Sequence, residues 1–269
     1  MTTQTASIQD IQRVAENHAL MEAANKAKPG DVQAIAALRK LEGVSPEDSA
    51  LALQLAAGRS KAIAKFGEAT SPWLAWPEAI EQATSLAVGT HKARWFKQHL
   101  GNRRLIDGCC GIGGDLHAFR QAGINALGVD TDPIRAWMAA HNANDASATT
   151  TADLEHFVFE TGDALHLDPG RRAGGRRLMH LEDLIPGPDL WQKLLETCPD
   201  AGIKLAPGVD PIDLEEAGLI GDTRPGHIEY ISLKGRMVQA VLWTGILARD
   251  AQAAASLIVS DDAAHTFVA

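Results

Sequence analysis

RLIDGCCGIGGDLHAF, residues 104–119, decides how the rest of the chain is read. Its apolar start ends on Asp107, four glycines follow at 108, 111, 113 and 114, and the pattern then turns helical. A strand that feeds a glycine loop and then a helix turns backbone N–H groups and a helix N-terminus toward a ligand at the carboxyl edge of a sheet. A dinucleotide loop would need G-x-G-x-x-G, but Gly111-Ile112-Gly113 is followed by Leu116 where the third glycine should stand. What is left is an acidic residue, three positions, then Gly111-x-Gly113. The adjacent Cys109 and Cys110 form neither a CxxC pair nor a zinc-spaced cluster, so no metal site is expected. Both read as small buried hydrophobes beside the turn, because nothing nearby in sequence would lower a thiol pKa.

Downstream of this loop, short apolar runs alternate with helical stretches: ALGVD, DPIRAWMAAHNA, TTTAD, ALHLD, DLWQKLLE and GIKLA. Strands separated in this way need crossovers, which implies a mainly parallel sheet with both faces covered. HIEYISL and MVQAVLW are joined only by Lys234-Gly235-Arg236, too short for a crossover, so they form a terminal antiparallel hairpin. The fold class is therefore α/β and Rossmann-like. Acidic residues recur at the strand ends: Asp130 comes 23 positions after Asp107, Asp153 closes TTTAD, and Asp168 with Pro169 closes the fourth strand. Asp163 leaves no room for a crossover before Asp168 and is read as a turn residue. His166 shares a strand face with Asp168 and is read as a satisfied core histidine.

Upstream the chain is helical. One helix is expected from Ser7 to about Lys28, a second from behind Asp31 to Gly43, and a third opening on the Ser45 cap with Pro46 in its first turn. A longer helix is expected from Pro77 to about Leu100, closed by Gly101. Trp73, Trp76 and Trp95 read as core.

The chain has 269 residues, 45% of them hydrophobic and 22% charged, with a formal net charge of −9, which fits a globular protein and disfavours nonspecific attraction to nucleic acid. No stretch approaches the apolar run of a membrane span, and the start lacks a signal sequence, so a cytoplasmic home is expected. Basic residues nevertheless gather at 91–104 and 170–177; these are either solvated surfaces or partner contacts.

Asp107-x-x-x-Gly111-x-Gly113 resembles the first motif of class I S-adenosylmethionine-dependent methyltransferases. IDGCCGIGGD, VDTDPIRAWMAAHNAN, HLDPGRRAGGRR, IKLAPGVD and EYISLKGRMVQAVLW together look like a bacterial group of that class whose members carry a C-terminal THUMP-like domain. The chain is more distantly similar to trimethylguanosine synthase. The resemblance implies a helical domain over 1–66, a methyltransferase domain over 67–250 and an extension over 251–269 with no THUMP-like module. It implies S-adenosylmethionine as cofactor, held by Asp107, Gly108, Cys109, Gly111, Gly113, Asp130, Thr131, Asp153 and Leu154. Asp130 would take the ribose hydroxyls and Asp153 would face the adenine amino group. Cys109 departs from the motif, since glycine often stands there. Asp168-Pro169 resembles the acidic-Pro motif of amino-methylating enzymes and would meet the acceptor. Arg171 and Arg172 would hold a phosphate or carboxylate of the substrate, or else pair with Glu182 and Asp183. The implied function is N-methylation of a nucleobase amine in RNA; a small-molecule methyltransferase and a non-catalytic cofactor-binding protein are the alternatives.

Overall fold

The computed structural model describes residues 6–27, 32–171, 180–251, 253–260 and 263–268. Four helices come first: α1 (Ile8–Glu16), α2 (His18–Lys26), α3 (Val32–Leu38) and α4 (Pro46–Phe66). The single helix expected from Ser7 to Lys28 is two. Asn17 leaves helical geometry and its side chain accepts from the Leu20 amide, ending α1 and capping α2 in one residue. α4 starts as the sequence predicts, with Ser45 and Asp48 in a reciprocal capping box and Pro46 at the first helical position.

The helix expected over Pro77–Leu100 is also two, α5 (Pro77–Gln82) and α6 (Leu86–Leu100). The break at 83–85 is held by Lys65, whose ammonium donates to the carbonyls of Ile80 (2.7 Å), Glu81 (3.1 Å) and Ala83. A side chain 15 or more positions away fixes the break, so local pattern does not reveal it.

The sheet begins with β1 (Leu105–Gly108), followed by α7 (Gly114–Gln121), β2 (Ala126–Asp130), α8 (Pro133–Asn142) and β3 (Thr149–Thr151). Residues 152–163 return as a loop to β4 (Ala164–Leu167). A short ribbon then pairs β5 (Gly170–Arg171) with β6 (Leu184–Ile185). α9 (Pro188–Thr197), β7 (Ala201–Leu205), α10 (Pro211–Glu216), β8 (Gly226–Leu233) and β9 (Arg236–Thr244) follow, then β10 (Ala253–Ser260) and β11 (Ala263–Val268). The nine-stranded sheet runs β11-β10-β8-β9-β7-β4-β1-β2-β3. Its first-laid strands pair in parallel, and β9 lies antiparallel between β7 and β8. The hairpin is thus present, closed by Lys234 and Gly235, both at positive φ as a two-residue turn requires. The extension over 251–269, to which the sequence assigned no structure, contains two further strands of the same sheet. β10 runs parallel to β8, and β11 forms an edge whose residues are all exposed.

Side chains alternate across the strands and divide the core. Leu105 and Ala164 face α6 and α7, whereas Ile106, Leu165 and Leu167 face α9 and α10. A third cluster joins the N-terminal helices to the glycine loop: Ile112 and Met138 are buried among Leu55, Phe66, Trp73 and Ile80. Asn142 on α8 ties these parts together. Its amide accepts from the Leu74 N–H at 2.8 Å and donates to the carbonyls of Leu74 and Ile112, each at 3.0 Å.

Candidate active site

The glycine loop is built from its residues' conformations. Cys109, Gly111 and Gly113 all have positive φ. Gly113 has a second reason to be glycine, since a Cβ there would come within 3.1 Å of Ala139 on α8. Around Gly111 nothing lies within 4 Å of where a Cβ would stand, so that side of the loop is open. Its amide donates to Oδ2 of Asp130 at 2.9 Å, and the Asp132 amide donates to Oδ1 at 2.9 Å. The carboxylate at the end of β2 thereby fixes the glycine loop to its own turn. Thr131, next in the chain, is exposed, and Leu154 is buried against Gly108.

Asp153 does not end the third strand. β3 stops at Thr151, and Asp153 stands exposed in the following turn, accepting from the Glu155 amide at 3.0 Å. Asp163 is the turn residue the sequence indicates, gripped by Nε and Nη2 of Arg104 at 2.9 and 2.7 Å. Asp168 lies one position past β4, its amide donating to the Gly108 carbonyl at 3.1 Å, so it sits beside the glycine loop. Pro169 behind it is buried. The Arg171 side chain and Arg172, like the rest of the 172–177 basic run, lie outside the described residues.

Cys109 lies in the glycine loop between these carboxylates. Burial raises its thiol well above the ordinary range, and Asp130, Asp168, Asp107 and Asp153 all add to that rise. Burial likewise pushes Cys198 up to about 12 and raises Cys110. None of the three thiols is therefore primed as a nucleophile. Asp130 and Asp168 thus place carboxylates beside the open side of the loop at Gly111, which suits a cationic ligand.

Asp107 itself differs from the other three. It is sealed in, directly across the strand pair from His166 on β4, whose Nδ1 lies 2.6 Å from Oδ1. Lys92 on α6, fully buried, donates to His166 Nε2 at 2.9 Å and pairs with Asp115 on α7 at 2.8 Å. Thr84, from the α5–α6 break, donates to the other Asp115 oxygen at 2.8 Å. Because an ammonium can only donate, His166 must carry its proton on Nδ1 and give it to Asp107. Burial and the Lys92 cation push His166 well down, so it is neutral. Burial and Asp115 push Asp107 well up, whereas at Asp115 burial is the largest single effect and is outweighed only by the surrounding positive groups together, Lys92 first, which hold it low. Asp107 Oδ2 has no partner among the described residues.

The basic run at 91–104 divides between internal pairing and exposed surface. Lys92 serves this buried chain, His91 meets Glu229 at 2.7 Å, Arg103 meets Asp200 at 2.7 Å, and Arg104 holds Asp163. These four side chains pair within the molecule, while Arg94 and Lys97 on α6 stay exposed.

No family model matches the chain. Uncharacterised S-adenosylmethionine-dependent methyltransferases of two strains of Mycobacterium tuberculosis are each 39% identical to it over 201 residues, which is 71% of this chain and 52% of theirs. The chain spans about half the length of the curated relatives it matches. A crystal structure from Porphyromonas gingivalis, assigned as a methyltransferase, superposes with a TM-score of 0.72 at 16% identity, covering 98% of this chain and 66% of that one. The chain has the class I methyltransferase fold.

Within the methyltransferase fold, sequence reasoning missed the residues that support the predicted ones. Lys204 on β7 pairs with Asp168 at 2.6 Å, and Lys92, Asp115 and Lys65 complete the charge pattern behind it. A lysine between Ile203 and Leu205 in an apolar strand was the available signal. Among the described residues no His, Cys, Asp and Glu cluster could hold a metal, and no helix is long and apolar enough to cross a membrane. A groove of about 470 Å³ bordered by Thr90, Arg94, Lys97 and Gln121 lies at the carboxyl end of α7, away from the glycine loop.

Proposed function

We propose that the protein is an S-adenosylmethionine-dependent methyltransferase acting on an exocyclic nucleobase amine in RNA. The observation that carries the reading is that Asp130 and Asp168, at the ends of β2 and β4, both bond to the glycine loop, through the Gly111 amide and the Gly108 carbonyl. The names of the mycobacterial relatives support the activity, and the resemblance to the THUMP-like group, with Asp168-Pro169, supports the acceptor.

Asp107, Gly108, Cys109, Gly111, Gly113, Asp130, Thr131, Asp153 and Leu154 would hold the cofactor. When bound, S-adenosylmethionine supplies a methyl already activated on a sulfonium, the C–S pair leaving with sulfur as the acceptor nitrogen's lone pair forms the new N–C bond. Because the donor is activated, the protein's work is alignment and exclusion of water. Asp168 accepts one N–H of the amine, aims its lone pair, and takes the displaced proton before passing it to water. Pro169 stiffens the turn that holds it. Arg171 and Arg172 would bind phosphate as guanidinium forks do.

The test is incubation with tritium-labelled donor and total bacterial RNA, protein and metabolite fractions. Label in RNA, recovered after nuclease digestion as a base methylated on its exocyclic nitrogen, is expected. Label confined to protein or metabolites overturns the acceptor; no label anywhere overturns the activity. A small-molecule acceptor is favoured by one feature, the packing of Phe66, Ala83 and Thr84 against Gly114, which encloses the site under the N-terminal helices. Label in the metabolite fraction alone would establish it.

A further inference from the structure

The lysine beside Asp168 has no counterpart in the motifs above, and its place in the sheet calls for a reason. Lys204 interrupts β7 between two buried residues, in an inner strand flanked by β4 and β9. A cation there must be paired. The parallel register sets Leu167 opposite Ile203, so the next rung brings Asp168 beside Lys204, and Nζ lies 2.6 Å from Oδ2. Among the described residues no donor reaches the other oxygen, Oδ1. Both side chains keep some exposure, 19% for Lys204 and 26% for Asp168, so the pair sits at the accessible rim and not in the sealed chain behind it.

We propose that Lys204 is a positioning residue for methyl transfer, pinning Oδ2 of Asp168 so that Oδ1 is presented to the acceptor amine. The inference rests on the reading of Asp168 given above. The charged and titratable groups that surround Lys204 are Asp168 just past β4, His166 on β4, Asp107 on β1, Asp115 on α7 and Lys65 on α4. Burial would weaken the lysine's hold on its proton, but Asp168 and Asp115 outweigh burial and keep it a cation. It therefore donates throughout and never receives the acceptor's proton, which goes to Asp168 and then to water. A small displacement of a catalytic group is costly in rate, which gives a positioning residue its leverage.

The experiment uses the full chain with Lys204→Met, Lys204→Arg, Asp168→Asn and the Met/Asn double variant. With the fraction that wild type labels, Lys204→Met is expected to lower kcat by about tenfold to a hundredfold. Lys204→Arg should recover most of that loss. The S-adenosylhomocysteine Kd from calorimetry should stay within about twofold of wild type in every variant, which a merely structural role would not ensure. In the Asp168→Asn background, Lys204→Met should cost nothing further. An unchanged kcat, an equal loss in both backgrounds, or a parallel loss of S-adenosylhomocysteine affinity overturns the inference. Urea unfolding needs no acceptor: the two substitutions should change the unfolding constant non-multiplicatively by at least about threefold, and strict multiplicativity overturns the pairing. If coupling is found but wild type labels no fraction, the reading of Asp168 fails and the positioning role falls with it.

Discussion

Asp107 and Asp168 end neighbouring strands on the same face of the sheet, yet they live in opposite circumstances. Asp107 is sealed, bonded to a neutral histidine whose other nitrogen is claimed by a buried lysine. Asp168 is partly exposed and meets its lysine at the rim. The same residue type, two rungs apart, is structural adhesive in one case and an available reagent in the other. The difference lies in what covers each tip: α6 and α7 close over Asp107, whereas Asp168 falls just past the strand end.

That contrast is broken most severely at Lys92. Lys92→Met leaves Asp115 buried without its cation and frees His166 to change tautomer. A loss of about 3–5 kcal/mol in urea unfolding is expected. Asp168→Ala should do the reverse, removing about a hundredfold or more of the methyl-transfer rate while stability stays within about 1 kcal/mol, because the pair is partly solvated. If instead Asp168→Ala unfolds the protein and Lys92→Met is silent, the division between interior and rim is wrong. Asp130→Ala removes the acceptor of both the Gly111 and Asp132 amides. S-adenosylhomocysteine should then bind about tenfold to a hundredfold more weakly, and the rise in Tm that it produces should shrink accordingly.

Titration separates a second interior cluster, far along the sheet from the rim. Burial lowers His227 from 6.5 to about 4, so the unfolded chain binds its proton more readily and stability falls as pH drops from 6.5 to 4. Glu229 is held at about 2: burial would raise it from 4.5, but His91, Ser256 and Trp243 more than compensate. Its contribution is complete above 4.5 and lost as pH falls from there to 2. Each should give a slope of at most about 1.4 kcal/mol per pH unit in its window. His227→Gln should flatten the upper window alone, read from unfolding free energy against pH. The smallest effect is expected at Cys109→Gly. Relief of a positive φ offsets the greater freedom of the unfolded chain, leaving stability within about 1 kcal/mol of wild type and S-adenosylhomocysteine affinity unchanged.

Much of this was readable in the chain because it is local. The strand-glycine-helix passage at 104–119, the Ser45 capping box, the hairpin turn at Lys234-Gly235 and the tight turn at Asp163 each follow from residues a few positions apart. What escaped depends on distant partners. The break between α5 and α6 needs Lys65 from another helix, and the burial of Lys92 needs Asp115 and His166 from two other elements. A basic run gives no sign of being turned inward until its counter-charges are in place. β10 and β11 were hidden by composition: AAASLIVS and AAHTFV alternate weakly, and an edge strand has little burial to impose a pattern.

Asn142 has a practical bearing on how this protein can be dissected. Its one amide group laces the segment before α5 to the loop after β1, and Ile112 lies in the hydrophobic cluster of the first helices. Trimming the chain to start at α6 would remove both hydrogen bonds between Asn142 and Leu74 and, at once, the apolar cover of Ile112 in the glycine loop. The leading helices are part of the support of that loop, and they cannot be shed as packaging.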